Sequence, residues 1–167
     1  MKFLKNGIRM IQIIITALLA LFLICNIYTI WQRNVKGNMN PTILGYSSAI
    51  VISGSMEPAI QVDDFIIVKE QDDYAIEDII MFRENSHLVT HRIVEETNEG
   101  FRTQGDANNA QDTNPVAIES IEGKVVCVVP RVGSFIRMLH TPMGMCIVVF
   151  LLLLILFLRE RSARYEE

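Results

Sequence analysis

Residues Ile11–Trp31 read IQIIITALLALFLICNIYTIW, 21 residues without a charge. About 20 residues at a 1.5 Å rise cross roughly 30 Å of hydrocarbon, so the stretch predicts a transmembrane helix. Lys2, Lys5 and Arg9 precede it, as basic residues precede the core of a secretory signal peptide. The apolar core, however, is longer than the roughly 7–15 residues of such a signal, and its end, CNIYTIWQRN, has no small-x-small cleavage site. It therefore reads as an uncleaved anchor. A second apolar run, MGMCIVVFLLLLILFL, covers the 16 residues Met143–Leu158. It falls slightly short of the about 17 residues a span requires unless Thr141 and Pro142 extend it into the interface. We read it as a second transmembrane helix, the alternative being a buried or interfacial hairpin.

Charge sets the expected orientation. Lys2, Lys5 and Arg9 lie before the first run and Arg159, Arg161 and Arg164 after the second, while Gln32–Pro142 carries 9 Lys+Arg against 16 Asp+Glu, a net charge of −7. Positive residues favour the cytoplasmic side, so both termini are expected there, with the acidic centre on the other face of a cell membrane crossed twice. The expected organisation is a cytoplasmic N-terminus at 1–10, an anchor at 11–31, a linker at 32–46, an extracytoplasmic domain at 47–140, a second helix at 141–158 and a cytoplasmic tail at 159–167. The linker follows from RNVKGNMNPTILGY, punctuated by Gly, Asn and Pro.

The central domain consists of short Ile-, Val- and Phe-rich runs separated by acidic turns. Strands are predicted near Ala49–Ser53, Phe65–Lys69, Asp78–Phe82, Leu88–Val94, Phe101–Gln104 and Lys124–Val129. No segment between them has the length and periodicity of a helix. The fold class is mainly β, a membrane-anchored β-domain flanked by an N-terminal and a C-terminal transmembrane helix. Its acidity argues against nucleic acid as a partner, which would call for a basic patch. The 3 cysteines make no disulfide framework: Cys25 and Cys146 lie in the apolar runs, and Cys127, in KVVCVVP, reads as a small buried hydrophobe. No metal-ligand spacing or phosphate-binding glycine loop appears, so neither a metal nor another cofactor is expected.

Three stretches could carry chemistry. In VISGSMEPAI, Val51–Ile60, an apolar run breaks into Ser-Gly-Ser and meets Pro58; taken alone, it is a strand ending in a turn. In SHLVTHRIVEE, strand alternation puts His87, Val89, His91 and Ile93 on one face and Leu88, Thr90, Arg92 and Val94 on the other. The third, TQGDANNAQDTNP at Thr103–Pro115, is a Gly/Asp/Asn loop that supplies Asp106 and Asp112. A serine, a histidine and an acid are the ingredients of nucleophilic acyl transfer, although the ingredients alone are common. His140 sits at the expected membrane boundary.

SGSMEP (Ser53–Pro58), VDDFIIV (Val62–Val68), HRIV (His91–Val94) and GDANNAQD (Gly105–Asp112) together resemble, in order, the sequence boxes of type I signal peptidases. The usual bacterial branch has a lysine base where this chain has His91, and Glu70–Gly123 contains no lysine. The histidine is instead similar to the endoplasmic-reticulum type, a Ser-His-Asp branch also found in archaea and some Gram-positive bacteria. The missing lysine also sets the chain apart from the self-cleaving repressors. The sequence departs from the pattern at Ala59, where many members have threonine, and at Ala107, an extra residue before the Asn pair.

The resemblance implies Ser55 as nucleophile and His91 as general base. Asp106 and Asp112 are both implied as functional acids, Asp112 being preferred as the orienting member, and Ser53 with Ser55 is implied at the oxyanion hole. It also implies a serine endopeptidase that removes signal peptides from exported precursors after small-x-small sites, with membrane lipid around it and further subunits left open. A histidine base is unperturbed near pH 6.5 and so needs no strong desolvation to work at neutral pH. The alternative reading is a non-catalytic membrane-anchored β-module or a subunit of a larger signal-peptidase assembly. Met56 is open to two readings: packing beside the nucleophile, or an apolar contact with the membrane.

Overall fold

The computed structural model describes residues 2–36 and 40–164. Residues 37–39 of the expected linker, the end residues 1 and 165–167, and the side chains of residues 2–6, 36 and 162–164, Lys2, Lys5 and Arg164 among them, lie outside the described residues. The chain divides into two compact units, one formed by the two ends and the other by Met39–Ser134.

The first unit is helical. Helix α1 (Lys2–Lys36) contains the first apolar run and continues into its polar flanks, which hold no proline to stop it. Helix α3 (Pro142–Arg164) contains the second run. By length and composition, Gly7–Val35 and Pro142–Arg161 are both sufficient to cross a membrane. The turn before α3 places His140 on Phe22 of α1, with the two rings stacked 5.8 Å apart.

The second unit is one antiparallel sheet. Its strands are β1 (Tyr46–Ile50), β2 (Phe65–Lys69), β3 (Ile79–Glu84), β4 (His87–Thr97), β5 (Gly100–Gln104) and β6 (Ile121–Val129), arranged in the order β1-β2-β6-β3-β4-β5. Each predicted strand has a counterpart, so the mainly β class with flanking apolar helices holds. The first is displaced: instead of Ala49–Ser53, β1 runs from Tyr46, opposite Lys69, to Ile50, opposite Phe65. Val51 still exchanges backbone bonds with Asp63 and Asp64, each 2.9 Å, and then the Ser-Gly-Ser segment turns out of the sheet. A 3-10 turn at Ile118–Ser120 precedes β6, and α2 (Gly133–Leu139), most of which belongs to the first unit, follows it; both are too short to show a helical period in sequence.

Strand β3 is buried on both faces, and its alternation divides the core. Met81 joins Met56, Ile60, Ile66 and Val68 on one side, whereas Ile80 and Phe82 join Ile93, Phe101 and Val116 on the other. A two-residue turn, Asn85-Ser86, links β3 to β4, with Asn85 at φ 53° supplying the left-handed conformation that tight hairpins need. Cys127 is exposed, contrary to the buried position its apolar neighbours suggest. The β3–β6 pairing extends only to Lys124, so beyond it β6 pairs with β2 alone, across a register shift that sets Cys127 opposite Ile67 and Val125 opposite Val68, and Val126–Val128 is exposed.

Candidate active site

Ser55 is held where the first strand gives way to a buried turn. After Ile52, which is 83% exposed, the chain folds back through Glu57 N–H donating to the Gly54 carbonyl (3.1 Å) and Ile60 N–H to the Met56 carbonyl (2.9 Å). Met56 and Ile60 are 2% and 1% exposed, so the residue after Ser55 is locked into the core while Ser53 stays exposed and Ser55 half-buried. Their hydroxyl oxygens lie 3.5 Å apart. The packing reading of Met56 is therefore the one the fold adopts.

His91 comes from mid-β4, directly opposite Ile80, and is 7% exposed. Its ring meets the edge of Phe82 with centroids 6.2 Å apart. The predicted alternation of the strand is present here, with His91 and Ile93 both buried. The polar atom offered to this enclosed imidazole is a carboxylate: Nδ1 lies 2.6 Å from Asp112 Oδ2.

The acidic loop connects these parts. Ala107 N–H donates to the Ser55 carbonyl at 2.9 Å, tying the loop to the serine turn. Asn108 N–H bonds the Gly105 carbonyl (2.8 Å), and Asp112 N–H bonds the Thr103 carbonyl (2.8 Å). The two acids have different partners. Asp106 takes a two-pronged bond from Arg92, Nε–Oδ1 at 2.9 Å and Nη2–Oδ2 at 2.7 Å, while Arg92 Nη1 donates to the Glu77 carbonyl at 2.9 Å. The Asp106 hydrogen bond, outweighing partial burial, raises the Arg92 pKa above its ordinary value. His91 and Arg92 are consecutive on a strand and point to opposite faces, which separates Asp112 from Asp106.

Ser53, Ser55 and His91 line a single cleft of about 750 Å³, whose other walls include Ile50, Met56 and Met81. Strand β5 pairs with β4 only from Arg92 onward, so the backbone edge of His87–His91 away from β3 borders this cleft. The parts assembled are a half-buried serine, an enclosed histidine bonded to a carboxylate, and an apolar groove beside a strand edge that β5 does not cover. Chemically, such a set can perform acyl transfer on an extended peptide.

The curated protein Signal peptidase I W of Bacillus subtilis (strain 168) is 34% identical to this chain over 121 residues, which is 68% of this chain and 63% of that protein. The chain belongs to the type I signal peptidase family. It spans somewhat less than two thirds of the length of this signal peptidase relative. No family model matches it.

Beside Ser53, Ser55, His91, Asp106 and Asp112, to which the sequence points, the fold brings in three residues to which it does not. Arg92 holds Asp106 away from the histidine. Gly105 sits so close to the serine turn that an added Cβ would lie 2.6 Å from the Ser55 carbonyl oxygen. Thr103 donates its hydroxyl to Asp112 Oδ2 at 2.6 Å. The available signal for Thr103 was parity: on β5 it shares the inward face with Phe101. Among the described residues, no group of three or more His, Cys, Asp or Glu is gathered to hold a metal ion.

Proposed function

We propose that the chain is a membrane-bound serine endopeptidase of the histidine-based branch, which removes N-terminal signal peptides from exported precursors after small-x-small sites. The observation that carries this reading is the 2.6 Å His91 Nδ1–Asp112 Oδ2 contact in a site where Ser55 lines the same cleft as the imidazole. Ser55 Oγ attacks the scissile carbonyl carbon while His91 Nε2 takes its proton. Asp112 holds the Nδ1–H tautomer and stabilises the imidazolium that forms. The tetrahedral oxyanion meets the Ser55 N–H and the Ser53 hydroxyl; loss of one such donor typically costs about 100- to 1000-fold in rate. His91 then returns the proton to the leaving amine. A water deprotonated by His91 hydrolyses the acyl-serine, releasing the cleaved signal peptide and regenerating Ser55.

The substrate strand adds to the edge of His87–His91, main-chain bonds supplying affinity and the cleft receiving small side chains. Asp106, paired with Arg92, braces the loop and does not touch the histidine. The two apolar helices anchor the enzyme with both termini cytoplasmic and the acidic domain on the opposite face, where tethered precursors emerge. Membrane lipid surrounds the helices.

The test is cleavage of a precursor carrying a small-x-small site by the purified, detergent-solubilised protein and its Ser55→Ala and His91→Ala variants. Cleavage by the wild type, with both variants inactive and still inserted in membranes, is expected. Equal cleavage by wild type and Ser55→Ala would refute the nucleophile.

A further inference from the structure

Thr103 is the most completely enclosed of the buried polar residues described, at 0% exposure. It lies on β5 opposite Ile93, itself 0% exposed, and by burial and strand preference the position suits valine, the isostere without the hydroxyl. A buried hydroxyl is costly unless bonded. This one donates to Asp112 Oδ2 at 2.6 Å, and the Thr103 carbonyl accepts the Asp112 N–H at 2.8 Å. Thr103 thus holds Asp112 by both main chain and side chain. The oxygen it holds is the same Oδ2 that lies 2.6 Å from His91 Nδ1. A carboxylate oxygen has two lone pairs, so the two donors can share it, and together they stop the carboxylate turning about its broad terminal torsion.

We propose that Thr103 is a positioning residue of the peptidase site, fixing Asp112 Oδ2 against His91 Nδ1 so that the imidazole keeps its Nδ1–H tautomer and presents Nε2 to Ser55. The proposal rests on the serine-peptidase reading above. Thr103 is absent from the cleft lining, so its effect falls on turnover and not on substrate binding.

The experiment uses the full chain in detergent with a small-x-small precursor, and reads kcat, KM and the His91 Nδ1–H proton resonance by NMR. Thr103→Val is expected to lower kcat about tenfold, the equivalent of about 1.4 kcal/mol, with KM unchanged and the Nδ1–H resonance broadened or displaced. Thr103→Ser restores kcat to within about twofold of wild type, because it restores the donor. In an Asp112→Asn background, Thr103→Val changes kcat less than about twofold, because its effect passes through the carboxylate. If Thr103→Val does not fold, Thr103→Ser and Thr103→Ala, which differ by the hydroxyl alone, carry the same comparison. The proposal is overturned if Thr103→Val keeps wild-type kcat and an unchanged resonance, or if its loss is undiminished in the Asp112→Asn background. Full activity of Asp112→Asn would instead strike the triad reading itself. In a wild type that fails to cleave, the resonance still decides whether Thr103 positions the histidine pair.

Discussion

Gly105→Ala tests whether the acidic loop and the serine turn are held together by close backbone approach. The new Cβ would lie 2.6 Å from the Ser55 carbonyl oxygen, 2.8 Å from Asn108 Nδ2 and 3.0 Å from Asn108 Cγ, whereas ordinary contact begins at 3.4 Å. The Asn108 amide can swing aside. The Ser55 carbonyl cannot, because Met56 beside it is 2% exposed in the core. Relieving the contact from 2.6 to 3.4 Å therefore pushes the loop outward by 0.8 Å. That shift breaks the 2.9 Å Ala107–Ser55 bond. Overpacking of this kind costs about 1–3 kcal/mol and the lost bond about 0.5–1.5 kcal/mol, together about 2–4 kcal/mol. For a domain of this size such a loss lowers Tm by on the order of 10 °C or more. The same displacement carries Asp112 away from His91, and a misplacement near 1 Å costs about 100-fold in rate. Thermal unfolding and precursor cleavage of the purified variant read the two effects separately. A Gly105→Ala protein with wild-type Tm and wild-type cleavage would refute the argument that this approach holds the site together.

The two acids should separate by assay. Asp112→Asn lowers kcat by on the order of 10⁴ with KM little changed, because the wrong imidazole tautomer is then held. Asp106→Asn loses the charged fork to Arg92 and destabilises the fold by about 1–3 kcal/mol, with a smaller kinetic effect. Kinetics and denaturant unfolding of both variants check the assignment, which an inverted ranking would contradict. Met56→Ala, at a position 2% exposed, should cost about 2–5 kcal/mol in chemical denaturation. A loss under about 0.5 kcal/mol, typical of surface positions, would contradict its burial.

Much of the fold was legible because its signals are local. Strand β2 has the ends that its sequence predicts, Phe65 and Lys69, as a β-branched run bounded by polar turns displays its strand character within five residues. His91 and Ile93 could be assigned to one face from the period of two alone. The first strand slipped because its boundary is not local. Tyr46–Ile50 is selected by pairing with Lys69–Phe65, and the Val51–Ser53 residues that look like strand in sequence lead into the turn that displays Ser55. Cys127 is exposed for the same kind of reason: the pairing of β6 with β3 stops at Lys124, and nothing in KVVCVVP marks where it ends.

By itself the sequence determined the two apolar helices, since length and the absence of charge suffice to match a bilayer. It also determined the mainly β centre and the ordered boxes that point to the signal peptidase family. Only tertiary structure decided which acid meets the histidine. Asp106 and Asp112 are identical side chains in one loop, and they are told apart by Arg92, which faces away from His91 on the same strand and takes Asp106, leaving Asp112 to His91 and Thr103. Tertiary structure also turned Met56 into the core. A contact between residues distant in the chain depends on register, face and close backbone approach at once, and none of these is written in the residues on either side.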